Sequence, residues 1–173
     1  VPMHRIFFEP ESKPEQKLVI KLDVGKSSQF KSYLPLYSIR AACGAFNHDD
    51  TNEIEGWVNV KKCNITPTKD MFVVHAEGSS MEPLIHDGDL CVFSYTNANE
   101  NGAIMLIESN NLFCQHVIKE FHCRPTLFPE YTEDNNVILH SLNPEFQDIV
   151  LSATDNPRIV GKLIKVIHAH EQF

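Results

Sequence analysis

With 173 residues, 42% of them hydrophobic and 22% charged, the chain suits one core-forming domain, or one domain with a short arm, and disfavours two equal domains. Its net charge of -8 argues against nonspecific nucleic-acid binding, because phosphate contacts need clustered Lys and Arg. No apolar run approaches membrane-spanning length, and five widely spaced cysteines with no C-x-x-C pair and no signal peptide ahead of them suggest a reducing, cytoplasmic setting.

Residues 1–32 read as an N-terminal arm or the remnant of a larger protein. Within them Lys17 to Val24, KLVIKLDV, alternates apolar and polar like a half-buried strand, and Gly25 to Ser32 is a polar linker. No run of three short amphipathic helices precedes Tyr33, so a helix-turn-helix DNA-binding domain is not expected. Tyr33 to Phe46, YLPLYSIRAACGAF, is apolar, and its small residues from Ala41 to Ala45 let another backbone approach closely. His48 to Glu55 is a polar, acidic loop, after which Gly56 to Val60 is a strand whose Trp57 belongs in the core.

The stretch Ala76 to Leu90, AEGSSMEPLIHDGDL, follows the apolar run Met71 to Val74 and closes on the tight-turn signal Asp87-Gly88-Asp89 before Leu90 to Phe93. A strand thus delivers a hydroxyl to a turn. The Gly allows the backbone to turn, and the following amides are placed to meet a developing oxyanion. The plainer alternative is that the two serines cap a turn near a Pro. Further strands are expected over Ala103–Glu108, Leu112–Phe121, Thr126–Phe128, Val137–Ser141, Ile149–Leu151 and Arg158–His168, with almost no helical periodicity. The expected fold is mostly β: twisted, partly barrel-like antiparallel sheets that leave few edges exposed.

In order along the chain, Leu34-Pro35-Leu36 with Ala42-Cys43-Gly44, Ile54-Glu55-Gly56, Glu77-Gly78-Ser79-Ser80-Met81 with Asp87-Gly88-Asp89, Leu142-Asn143-Pro144-Glu145-Phe146, and Val160-Gly161-Lys162-Leu163-Ile164 resemble segments of the self-cleaving serine peptidase domains of the LexA repressor and UmuD family. The resemblance implies a LexA/UmuD-like peptidase domain over residues 33–173, with 33–55 holding the cleavage-site segment and loop. It implies that Ser80 is the nucleophile and that the backbone amides of Ser79 and Ser80 form the oxyanion hole. It also implies a cut between a small residue and Gly, here Cys43-Gly44, so that the chain's own segment, or a partner's equivalent segment, is the substrate, and a homodimer through the late strands. The family works in DNA-damage or stress responses, a trigger that does not transfer to a chain with no DNA-binding domain in view.

The family pairs its serine with a buried Lys of lowered pKa. Laying Asn111 to Val117 on the corresponding strand puts His116 at the Lys position, while Lys119, an odd number of residues away, falls on the opposite face. The expected dyad is therefore Ser80 with His116 as general base, oriented by Asp87, Asp89 or Glu108. The alternative is an inactive regulatory or dimerisation module in which His116 is a partly buried spacer. No cofactor and no metal site are expected. The spacing of Cys114 and His116 or His122 and Cys123 suits zinc poorly, and the His168-Ala169-His170 pair reads as a frayed end.

Overall fold

The computed structural model describes residues 20–44, 53–112, 115–124 and 137–169. The fold is mostly β. Its strands are β1 (Ile20–Lys21), β2 (Tyr33–Tyr37), β3 (Gly56–Asn59), β4 (Met71–His75), β5 (Leu90–Tyr95), β6 (Ile104–Glu108), β7 (His116–Cys123), β8 (Val137–His140), β9 (Ile149–Leu151) and β10 (Arg158–Ile167), with one short helix, α1 (Ile39–Gly44). They form a single sheet in the order β1-β3-β2-β4-β5-β10-β6-β7-β8-β9.

Two expectations about this sheet are corrected. It is open, running from edge strand β1 to edge strand β9, and it is mixed, because β2 pairs with β4 in parallel. The edge strand β9 has only three residues, and an edge so short offers little unpaired backbone to protect. Within Lys17–Val24, Ile20 and Lys21 are strand, pairing with Val58 and Trp57; residues 17–19 and the expected strand Thr126–Phe128 lie outside the described residues. Leu142 to Phe146 is a turn rather than a late strand.

Both faces of the central strands are covered, which explains their unbroken apolar runs. Phe72, Val74, Cys91, Phe93 and Leu106 point into one cluster with Met81 and Ile85. The alternate residues Val73, Leu90 and Val92 pack with Leu34, Leu36 and Val58 in a second, and Met105 and Ile107 join Phe121 and Leu139 in a third. Trp57 is buried as expected and meets Phe30 edge to face. The small residues after Tyr37 form α1: Ser38 caps it, its Oγ accepting from Ala41 N–H at 3.1 Å, and Ala41, Ala42 and Cys43 are its buried side. Among the described residues no helix is long and apolar enough to cross a membrane.

Strand β10 joins the two halves of the sheet by pairing with β5 on one side and β6 on the other. At Gly161 the neighbours close in, since a Cβ there would stand 3.1 Å from Ser94 O and 3.2 Å from Phe72 Cζ. Both are fixed, one as backbone and one as a core ring stacked on Phe93 and Tyr95. Gly161→Ala is therefore expected to destabilise the fold by about 1–3 kcal/mol, the usual range for overpacking. Urea denaturation checks this, and an unchanged midpoint would remove Gly161 as a packing constraint.

Candidate active site

The turn that carries Ser80 is built from its flanks inward. After β4 the ladder continues one step, Ala76 N–H donating to Asp89 O at 2.8 Å and Gly88 N–H to Ala76 O at 2.9 Å. Gly78 and Gly88 have φ of +81° and +83°. Only glycine takes these values without strain, so both are required by the turn. Gly78 N–H also donates to Asp87 Oδ1 at 2.8 Å, which fastens the entry of the turn to its exit. Met81 and Ile85 are buried and anchor its far side.

The turn beginning at Leu142 supplies the other wall. Asn143 donates its backbone N–H to Ser80 O and its side-chain Nδ2 to Ser79 O, each at 3.0 Å. Both serine carbonyls are thereby turned toward Asn143. Among the described residues neither the Ser79 nor the Ser80 N–H donates to another protein group. A pair of amides in that condition is what an oxyanion hole needs.

The side chain that meets the serine hydroxyl is Lys119. Its Nζ donates to Ser80 Oγ and lies 6.0 Å from the centroid of the Phe146 ring. Lys119 is only 6% exposed, and no carboxylate pairs with it among the described residues. Burial holds its amine below the ordinary lysine pKa.

Among the described residues His116 makes no hydrogen bond or ion pair with Ser80, and the register explains why. A tight connection between β6 and β7, closed by Ser109 N–H to Gln115 O and Gln115 N–H to Leu112 O at 2.9 Å each, delays the start of β7 to His116 itself. Gln115 takes φ +61°, a left-handed turn that no glycine announces. His116 therefore stands at the strand's first position opposite Glu108, with Nε2 3.4 Å from its Oε1, and Lys119 stands opposite Met105 in mid-strand. Directly paired residues share a face, so His116 and Lys119 are on opposite faces. Of the suggested orienting acids, Glu108 does meet His116, while Asp87 and Asp89 serve the nucleophile turn.

Cys43 and Gly44 form the last turn of α1, and residues 45–52 lie outside the described residues. Cys43 packs in the cluster that holds Met81, the residue after Ser80. Burial, reinforced by Glu108 and opposed by Arg158, pushes its thiol up to about 12, so it is inert as a nucleophile near neutral pH. Its carbonyl accepts from Arg158 Nη2 at 2.7 Å, and Arg158 is held in turn by Glu108, to which Nε donates at 2.7 Å. The Cys43 carbonyl, Arg158, Glu108 and His116 thus form one connected network.

Sequence reasoning set Lys119 aside on the alternation of faces and missed Asn143, Phe146 and Arg158. A lysine inside the run Val117-Ile118-Lys119-Glu120-Phe121 was a usable signal, and Asn143-Pro144 a turn signal; nothing local marks Arg158, whose partner is 115 residues away. For metals, Cys114 and His170 lie outside the described residues, and His122 pairs with Glu120. His86, Asp89 and His168 bring ligand atoms within 4.8 Å of one another.

The sequence profile of the family described as Peptidase S24-like matches residues 35–164. A LexA repressor from Clostridium novyi (strain NT) is 30% identical over 107 residues, which is 61% of this chain and 46% of that repressor. The chain therefore spans about half the length of this relative.

Asn143→Ala removes the amide that holds Ser79 O while leaving the backbone bond to Ser80. A loss of about 1–3 kcal/mol in denaturation free energy is expected from the unsatisfied, partly buried carbonyl. No loss would mean the turn holds its shape without that side chain.

Proposed function

We propose that this chain, which belongs to the Peptidase S24-like family, is a serine peptidase that cuts its own Cys43-Gly44 bond with a Ser80–Lys119 dyad. The observation that carries the reading is the hydrogen bond between Lys119 Nζ and Ser80 Oγ, made by a buried amine that no carboxylate among the described residues keeps charged. A desolvated lysine is neutral for a larger share of the time than an exposed one, and a neutral amine accepts a hydroxyl proton.

The steps follow from these groups. Lys119 takes the Ser80 proton as Oγ attacks the carbonyl carbon of Cys43, and the oxygen's new charge falls to the Ser79 and Ser80 amides. The Lys119 ammonium then protonates the departing Gly44 nitrogen, leaving an ester between Cys43 and Ser80. Water, deprotonated by Lys119, hydrolyses that ester and regenerates the serine. Holding the substrate on the same chain gives a high effective concentration of one specific bond.

The bond has to leave its resting place first. In α1 its carbonyl is held by Arg158 rather than by the Ser79 and Ser80 amides. A six-residue helix has little stability of its own, so what restrains it is the burial of Ala41, Ala42 and Cys43 together with the Arg158 contact. A regulatory or stress-response use fits this arrangement and the relative's description as a repressor.

Incubation of the purified chain followed by denaturing mass spectrometry is expected to give two fragments that part after Cys43. Ser80→Ala and Lys119→Met should each abolish them, and His116→Ala should not. Loss in His116→Ala with retention in Lys119→Met would overturn the dyad, and no cleavage in any condition would favour an inactive regulatory domain. The rate should rise with pH, because the neutral fraction of Lys119 grows as pH passes upward through its pKa, and the midpoint should fall below the 10.5 of an ordinary lysine. Arg158→Ala frees the Cys43 carbonyl and is expected to raise the rate about tenfold, the equivalent of roughly 1.4 kcal/mol for one charged hydrogen bond. An unchanged or lower rate would take Arg158 out of the control of cleavage.

A further inference from the structure

Asp89 is 1% exposed and fully engaged by nitrogen groups. Its Oδ2 accepts from His86 N–H at 2.8 Å and lies 2.8 Å from His168 Nδ1, and its Oδ1 accepts from Ala169 N–H at 2.8 Å. The His86 ring turns toward the same oxygen, with Nδ1 at 3.6 Å and a side chain 48% exposed. Its ring meets that of His168 edge to face with centroids 5.7 Å apart. Two imidazoles thus converge on one buried carboxylate oxygen at the place where the end of β10 reaches the nucleophile turn.

We propose that His86, Asp89 and His168 bind a divalent transition-metal cation of the zinc class, through His86 Nδ1, His168 Nδ1 and Asp89 Oδ2. Zinc bonds of about 2.0–2.2 Å at tetrahedral angles set ligand atoms roughly 3.3–3.5 Å apart, and the observed 2.8 and 3.6 Å bracket that spacing. The cation takes the place of the proton shared by His168 Nδ1 and Asp89 Oδ2. The two amide bonds to Asp89 remain, and these fix the carboxylate as outer hydrogen bonds fix metal ligands generally. Two imidazole nitrogens and one carboxylate oxygen suit Zn²⁺ and Co²⁺ rather than Ca²⁺ or Mg²⁺. The exposed side of His86 leaves a fourth position for water. Bound there, the ion ties the segment after β10 to the loop between Ser80 and β5.

The test is titration of the full-length chain with Co²⁺ and Zn²⁺. Expected are one saturable site, cobalt absorption of a nitrogen and oxygen site without a thiolate charge-transfer band, and a higher Tm with Zn²⁺. His86→Ala lies on the exposed side and keeps the fold, as circular dichroism would verify; it should weaken binding at least about tenfold, and His168→Asn likewise. His122→Ala, a histidine paired elsewhere with Glu120, should leave binding unchanged. No saturable binding, a thiolate band, or a loss smaller than tenfold in His86→Ala would each overturn the proposal.

Discussion

A lysine amine buried in the sheet beside a serine hydroxyl is the constraint around which this structure is arranged. Removing an ammonium from water costs several kcal/mol, and among the described residues Lys119 has the Ser80 hydroxyl and the Phe146 ring near its nitrogen to offset that cost. Its strand cannot move to improve matters, because β7 is paired on both sides, with β6 and β8. The serine must therefore be brought to the lysine. Gly78, the Asp87 clasp and the two bonds from Asn143 are the means, and each acts on the turn rather than on the strand.

Those parts were unequally legible in the sequence. Met71 to Val74 and Leu90 to Phe93 announced themselves because strands covered on both faces read as unbroken apolar runs. Gly78 and Gly88 announced the turn because its backbone demands positive φ. That Lys119 and not His116 meets the Ser80 hydroxyl was not legible, for a matter of register. Alternation says which residues share a face, and it correctly set His116 and Lys119 apart, but it does not say where a strand begins. That was decided by a connection whose left-handed residue is Gln115, a residue type that gives no warning. Closure of the sheet was misjudged for a different reason, since strand runs alone do not tell which ends meet.

His116 acquires a different meaning from its true position. It belongs to the row His116, Glu108 and Arg158 across three neighbouring strands, and that row ends on the Cys43 carbonyl. His116 and Cys43, both singled out in the sequence, are thus joined to each other, not to Ser80. A peptide carbonyl engaged by a guanidinium, in the last turn of a helix, is held in a shape that an attacking hydroxyl does not use. The fold thus holds the Cys43 carbonyl apart from the Ser80 hydroxyl, and what holds it there is a few hydrogen bonds and a small apolar face.

The position of β2 limits what a cut at Cys43-Gly44 could do. β2 precedes that bond, yet it lies inside the sheet between β3 and β4, and its Leu34 and Leu36 are in the second core cluster. Severing the chain in the last turn of α1 removes one covalent link and leaves those pairings and that burial in place. The two pieces then have no reason to part while the sheet stands. What changes is chemical and local: the Cys43 carbonyl becomes a carboxylate beside Arg158, and a neutral acceptor turned into an anion binds a guanidinium more strongly. On the proposed reading, cleavage acts by freeing Gly44 and the residues after it from α1 while fixing what comes before, so its output is the release of a segment and not the separation of a domain.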